Sequence, residues 1–263
     1  MDYKACVVGH PVGHSMSPVM HNAGFAAIGF NARYVAEDVE PKRFKNFIDR
    51  VRSKEFIGVS VTVPYKEEVM KYVNDITEEA RQIGAINTLY FKGGVLVGDN
   101  TDWFGIKMAL EESYDLRGKK VLVYGAGGAA RAALFALADS QAEVFVTNRT
   151  ASKSSMLAKE FRVTQVDPHE LPKVDVLINA TTVGLPSQNY LLVDEEWLKG
   201  CEVVFDMVYS QTVLEQTAKN LGCQIVLGKK MLLFQGVRQF ELFTGFEAPI
   251  QAMAEALGFK CKT

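Results

Sequence analysis

No stretch of this chain approaches the ~18 consecutive apolar residues that cross a bilayer. Its first residues carry Asp2 and Lys4 ahead of a short apolar run, unlike a secretion signal. Positive charge is not in excess either: 29 Lys and Arg stand against 31 Asp and Glu, which gives no basic field for nucleic acid. The four cysteines (Cys6, Cys201, Cys223, Cys261) form no C-x-x-C and no close pair, so they read as reduced core or surface residues. Repeats, charge blocks and low-complexity segments are missing. His10, His14 and His21 lie near one another, but Pro11 and Gly13 break any helix that would align the first two. No carboxylate joins them, so no metal is expected. These absences point to a soluble, cytoplasmic protein with one or two domains in its 263 residues.

What is present begins with Val121–Ala138, VLVYGAGGAARAALFALA. Val121 to Tyr124 is short and apolar, as a buried strand should be, and the run after Ala130 reads as a helix. Between them Gly125, Gly127 and Ala130 match G-x-G-x-x-G/A. One small residue turns the chain, one admits a pyrophosphate, and the third lets helix pack on strand. Free N–H groups at the helix start then face the phosphates, which makes Gly125, Ala126, Gly127, Gly128 and Ala129 candidate cofactor residues.

The next strand, Glu143 to Thr147, ends in Asn148-Arg149-Thr150, with Lys153 beyond. An NAD site usually has a carboxylate here, to hold the ribose 2′-hydroxyl. A guanidinium suits a 2′-phosphate instead, and Arg149 can also stack on adenine. The alternative is a strand-end turn with a solvated arginine. The expected cofactor is NADP.

Upstream, Tyr3 to Gly9 reads as a strand that ends in a Gly-, Pro-, Ser- and His-rich loop. Pro18 suits the first turn of the following helix and Ser17 its N-cap. Ser15 has no such structural excuse, and hydroxyls at a strand's carboxyl end suit a polyol. Asn31–Ala36 is a second strand, and Pro41–Val51 an amphipathic helix with Phe44, Phe47, Ile48 and Val51 inside. A third strand from Gly58 stops at Pro64, leaving Lys66 just beyond, where lysines are commonly solvated. Leu89–Phe91 and Val95–Val97 form a hairpin turned at Gly93-Gly94. Asp102 opens the helix Trp103–Ser113, where a capping role alone would account for it. Later strands are expected at Val174–Asn179, Val203–Met207 and Ile225–Leu227, and helices at Thr212–Leu221, Met231–Thr244 and Ile250–Leu257. The loop Ala180 to Gly184, with Thr181, is polar enough to line a bound cofactor.

Taken together these segments resemble shikimate dehydrogenases over essentially the whole chain. The matching motifs are G-H-P-V-G-H-S-M-S-P-V-M-H-N (Gly9 to Asn22), V-T-V-P-Y-K-E (Val61 to Glu67), G-A-I-N-T (Gly84 to Thr88) and G-D-N-T-D-W-F-G (Gly98 to Gly105). They continue with G-A-G-G-A-A-R-A (Gly125 to Ala132), N-R-T (Asn148 to Thr150) and M-L-L-F-Q-G (Met231 to Gly236). The resemblance implies an α/β enzyme: a substrate domain over 1–102, a doubly wound Rossmann NADP domain over 103–234, and C-terminal helices over 235–263 returning to the first domain. The active-site cleft would lie between the domains. It implies NADPH-dependent, reversible reduction of 3-dehydroshikimate to shikimate. Lys66 and Asp102 would be the catalytic pair, with Ser15, Ser17, Ser60, Thr62, Asn87, Tyr209 and Gln235 around the substrate. Met207 and Gly228 would join the cofactor residues, Gly228 near the nicotinamide. The partners implied are small molecules only, on a monomer or homodimer.

The chain departs from the family's pattern at Ser60, where G-x-N-V-T has asparagine, at Ser210-Gln211 in place of Asn-Pro, and at Lys230 in place of a second glycine. A serine at 60 either only buttresses the loop or leaves room and a water beside the substrate ring, enough to admit quinate. A quinate/shikimate dehydrogenase with relaxed NAD use therefore stays open, as does an NADP-binding regulatory protein without catalysis, although both Lys66 and Asp102 are retained.

Overall fold

The structure, a computed structural model, describes residues 3–260, so Cys261 lies outside the described residues. The chain divides into two compact units, Met1–Thr101 with Leu232–Thr263, and Asp102–Met231.

The first unit begins with β1 (Tyr3–Gly9), α1 (Ser17–Ala27), β2 (Ala32–Asp38), α2 (Phe44–Arg52) and β3 (Gly58–Val61). β4 (Asp75–Ile76), α3 (Glu78–Ile83), β5 (Thr88–Lys92) and β6 (Val95–Asp99) follow. The strands form one mixed sheet in the order β2-β1-β3-β5-β6-β4. Parallel pairing of β1 with β2 and β3 requires crossovers, supplied by α1 and α2. The hairpin β5–β6 is antiparallel and turns at Gly93 and Gly94, with φ of 58° and 84°. Two successive left-handed residues match the twist of a tight hairpin, which is why glycine occupies both. Phe44, Phe47, Ile48 and Val51 of α2 all pack into the core with Cys6, Val8, Val59 and Val61.

The second unit runs through α4 (Asp102–Glu111), β7 (Lys120–Tyr124), α5 (Gly128–Ala136), β8 (Glu143–Thr147), α6 (Ala151–Phe161) and β9 (Thr164–Gln165). It continues with β10 (Val176–Asn179), α7 (Glu195–Leu198), β11 (Val203–Asp206), α8 (Val213–Asn220) and β12 (Gln224–Leu227). All its strand pairs are parallel, in the order β12-β11-β10-β7-β8-β9. Numbered from β7, this is the doubly wound order 3-2-1-4-5-6, whose switch point falls between β7 and β10. Trp103 of α4 meets Phe135 of α5 edge-on at 5.5 Å. Lys230, which stands in place of a second glycine, is taken up by an ion pair with Glu112 at 3.1 Å.

The last helices are α9 (Gly228–Thr244) and α10 (Ile250–Ala256). From Leu232 onward α9 belongs to the first unit. There Gly24 of α1 lies beneath Phe240 and Met253, and Gly58 of β3 beneath Phe243, with no room for a β-carbon at either glycine. No described helix is long and apolar enough to cross a membrane.

Two local expectations change. Ser17 is not the N-cap of α1: Met16 is, and Ser17 lies inside the first turn. It is Ser15 that serves the helix start, its Oγ accepting from Ser17 N at 3.3 Å. The strand expected up to Pro64 ends at Val61, because Tyr65 N turns back to Thr62 O at 2.9 Å.

Candidate active site

In the first unit the register gathers the expected substrate residues at one edge of the sheet. β5 runs against β3, pairing Thr88 with Ser60, and β6 runs against β5, pairing Asp99 with Thr88. The carboxyl ends of β1, β3 and β6 and the amino end of β5 therefore share an edge. Ser15 and Ser17 follow β1, Thr62 and Lys66 follow β3, Asn87 precedes β5 and Thr101 follows β6. Backbone bonds fasten these loops together: His10 N to Val63 O at 3.0 Å, Thr62 N to Val8 O at 2.9 Å, Val61 N to Asn87 O at 2.7 Å and Ile86 N to Lys66 O at 2.7 Å.

Lys66 is half-buried and its neighbour Tyr65 is a plug. The Tyr65 ring stacks on Phe44 at 3.9 Å and its hydroxyl donates to Val39 O. A buried aromatic beside a lysine fixes where the lysine's stem starts, which matters for a group that must meet a reacting atom. In the loop after β1, His10 Nδ1 meets Asp38 Oδ1 at 2.6 Å. Asp38 Oδ2 accepts from Val12 N at 3.3 Å. The bond from His10, with that backbone bond, holds the exposed Asp38 carboxyl below its ordinary range.

Asn87 is the best-defined group in this cluster, and it is buried. Its Oδ1 accepts from Thr101 N at 2.7 Å and from Thr88 Oγ1 at 2.6 Å. A backbone N–H can only donate, so this pairing orients the amide and leaves Nδ2 to donate outward. Nδ2 reaches Thr101 Oγ1 at 3.1 Å and Gln235 Oε1 at 3.3 Å. Gln235 Nε2 donates to Leu232 O at 2.8 Å and keeps a second N–H in hand.

Of the two readings of Ser60, the geometry fits the buttress. Ser60 is 6% exposed, its Oγ accepts from Tyr34 Oη at 2.6 Å and donates to Gln239 Oε1 at 2.6 Å. The room for a water is filled by Gln239. Tyr34, Thr88, Thr101 and Gln239 were not singled out in the sequence. Thr88 and Thr101 lie within the quoted motifs, and Gln239 falls four residues after Gln235, on the same helix face.

In the second unit Gly125 has φ +137°, and a β-carbon there would meet Ala180 O at 2.7 Å. Gly127 is the N-cap of α5, with no side-chain cap bond and open space where a β-carbon would be. Ala130, the third small residue, is fully buried. Uncapped helix-start donors, a bare cap residue and a tight turn fit a dinucleotide's pyrophosphate. Asn148 Nδ2 bonds Thr150 O at 3.2 Å, shaping the β8–α6 turn, while Arg149, Thr150 and Lys153 are exposed around it. These residues fit a phosphorylated ribose.

Two buried residues not foreseen, Asn179 and Asp206, brace the other side of the switch point. Asn179 Oδ1 accepts from Thr181 Oγ1 at 2.7 Å and Thr181 N at 3.0 Å, and its Nδ2 donates to Asp206 Oδ1 at 3.0 Å. Asp206 also accepts from Thr212 Oγ1 at 2.6 Å and Val208 N at 3.1 Å. Burial raises the Asp206 carboxyl despite these donors. Gly228 lies against the Met207 backbone, where a β-carbon would stand 2.7 Å from Met207 C and O. Asp102 is buried at the head of α4. Burial, and then the Asp102 carboxylate, push the Tyr209 phenol well above its ordinary range, so Tyr209 stays a neutral donor at any working pH.

A Rossmann unit with a 2′-phosphate-suited turn, joined to a unit that presents hydroxyls, amides and a lysine on one sheet edge, is the make-up of a dinucleotide-dependent dehydrogenase of polar small molecules. Family comparison is specific. Residues 7–89 match the shikimate dehydrogenase substrate binding domain, 107–217 the shikimate/quinate 5-dehydrogenase model and 230–257 the shikimate 5′-dehydrogenase C-terminal domain. The chain is 39% identical over 260 residues to the shikimate dehydrogenase (NADP(+)) of Maridesulfovibrio salexigens, covering 95% of this chain and 94% of that one. It is 40% identical over 270 residues to that of Methanocaldococcus jannaschii, with 95% and 94% covered. The crystal structure of shikimate 5-dehydrogenase from Thermus thermophilus in complex with NADP(H) and shikimate superposes with a TM-score of 0.87 at 35% identity, covering 97% and 98% of the two chains. The chain belongs to the shikimate dehydrogenase family.

Proposed function

We propose that this protein catalyses the reversible, NADPH-dependent reduction of 3-dehydroshikimate to shikimate in the cytoplasm. The observation that carries the reading is the Asn87–Gln235 amide pair, with its oriented N–H groups on the same sheet edge as Ser15, Ser17, Thr62 and Lys66. A substrate with several ring hydroxyls and a carboxylate needs such a set of donors and small hydroxyl partners.

When bound, NADPH supplies the hydride. The glycine turn Gly125–Ala129 and the start of α5 hold its pyrophosphate, and Asn148, Arg149, Thr150 and Lys153 its 2′-phosphate. Thr181, Met207 and Gly228 flank the remainder. Ser15, Ser17 and Thr62 accept and donate around the substrate's carboxylate and hydroxyls, Asn87 turns an N–H from Gln235 Oε1 to a ring oxygen, Gln235 donates its remaining N–H, and Tyr209 donates as a neutral phenol. As the ketone carbon is reduced its oxygen gains negative charge, and Lys66 gives it a proton, taking one back in the reverse direction. Asp102, buried at the head of α4, is the proposed partner of the substrate hydroxyl. The Ser60 hydroxyl shapes this wall from behind through Gln239.

The test is the purified protein with NADPH and 3-dehydroshikimate, or NADP and shikimate, followed at the nicotinamide absorbance. Turnover with shikimate is expected. Cofactor binding without turnover of either compound overturns the reading in favour of a non-catalytic NADP protein.

A further inference from the structure

Gln239 is 1% exposed, and its side-chain amide bonds Ser60 on one side and Thr88 and the Asn87 backbone on the other. Its Oε1 accepts from Ser60 Oγ at 2.6 Å. Ser60 accepts from the Tyr34 hydroxyl at 2.6 Å and gives its one proton to Gln239. The amide is thus oriented with oxygen toward β3 and nitrogen toward β5. Nε2 then donates to Thr88 Oγ1 at 2.9 Å and Asn87 O at 3.2 Å. Thr88 passes its own proton to Asn87 Oδ1 at 2.6 Å. The chain of donors runs one way: Tyr34, Ser60, Gln239, Thr88, Asn87, Gln235.

Two features make this more than a satisfied core amide. Thr88 Oγ1 has a second partner within reach, Thr101 Oγ1 at 3.4 Å, so its proton has two destinations. The 2.6 Å bond to Asn87 against 3.4 Å to Thr101 makes Asn87 the hydroxyl's acceptor, and the donor arriving from Gln239 polarises that bond further. Gln239 also lies one turn beyond Gln235 on α9, on the same face. By bonding both β3 and β5 it fixes the helix against the sheet at the point where Gln235 meets Asn87.

We propose that Gln239 is a positioning residue, which holds the Asn87 and Gln235 amides in the geometry that receives the substrate. The proposal rests on the substrate reading above. It differs from a packing role in what it moves: substrate recognition, not the cofactor.

The test compares wild type with Gln239→Met, which keeps the side chain's length and removes its hydrogen bonds. The expected result is a KM for shikimate raised about tenfold, the scale of one misplaced polar contact. kcat should fall less, and the NADPH dissociation constant should stay within twofold. The side-chain amide NMR signals of Asn87 and Gln235 should shift or broaden in the ligand-free protein. An unchanged KM with unshifted amide signals overturns the proposal, even if the melting temperature falls. So does a parallel loss of NADPH affinity. Should Gln239→Met fail to fold, Gln239→Asn takes the same measurements, because its shorter amide cannot reach both Ser60 and Thr88. Absence of shikimate turnover by wild type sinks the substrate reading instead, and the amide signals still decide the role of Gln239.

Discussion

The imidazole of His21 lies flat on the ring of Tyr34, with 4.4 Å between centroids and 3° between planes. Phe240 continues the stack at 6.4 Å, and Phe25 and Phe243 close the sides. Neither ring nitrogen meets a hydrogen-bond partner by distance and angle among the described residues. Burial lowers the His21 pKa from 6.5 to about 3, with the nearby Gln239 amide opposing the shift slightly.

The pH dependence of stability follows. The folded pKa lies below the unfolded one, so the unfolded chain takes up the proton first as pH falls. Stability is lost from pH ~6.5 down to pH ~3, at about 1.4 kcal/mol per pH unit. In His21→Leu that contribution disappears. Unfolding free energies from urea denaturation at pH 7 and pH 4.5 should differ by about 2–3 kcal/mol less in the variant than in wild type. Equal differences in both proteins would show that His21 is not the titrating group.

Lys66→Ala should lower kcat by ~10²-fold or more, the scale of a lost acid–base group, and change KM less. The Tyr65 plug and the Ile86–Lys66 backbone bond do not involve the lysine side chain, so both should survive the substitution. Steady-state kinetics with a near-normal kcat would remove Lys66 from proton transfer.

Arg149 is exposed at the β8–α6 turn, and its proposed task is the 2′-phosphate. Arg149→Ala should weaken NADPH by about 1.5–3 kcal/mol, the usual worth of a hydrogen bond to a charged group. NADH, which lacks that phosphate, should be affected far less. Fluorescence titration with both cofactors checks this, and equal losses would make Arg149 structural.

The sequence was most legible where local chemistry and tertiary need agree. The glycine turn after β7 could be read because a tight turn beside Ala180 tolerates no side chain, and the face of α2 because its period matches its burial. Short elements such as α3 and β4 carried too few residues to show a period. The candidate site was legible residue by residue through motifs, but its wiring was not. Asn179, Asp206 and Gln239 act through partners 27, 6 and 179 positions away, Asp206, Thr212 and Ser60 respectively. No local pattern in one sequence reports such distances. Ser60 is the clearest instance: read alone the serine leaves buttress and vacancy both open, and only the fold brings Gln239 to it.

That pairing sets the expectation for Ser60→Asn. Asparagine adds two heavy atoms where the serine hydroxyl already sits 2.6 Å from both the Tyr34 phenol and the Gln239 amide. One of its groups can still bond Gln239, but the others must displace Tyr34 or the α9 helix. Forcing extra atoms into a packed interior costs about 1–3 kcal/mol, and Tyr34 is itself 1% exposed beneath His21. The variant should therefore be less stable by that amount in urea denaturation. Its shikimate KM should rise, because the displaced Gln239 no longer holds Thr88 and Asn87. The ratio of kcat/KM for shikimate to that for quinate should stay within about twofold, since both compounds meet the same disturbed wall and no free space is exchanged. A water-filled gap beside Ser60 predicts the reverse: unchanged or higher stability, and a ratio raised several-fold as asparagine closes the gap. Denaturation and two-substrate kinetics on wild type and Ser60→Asn separate the two outcomes.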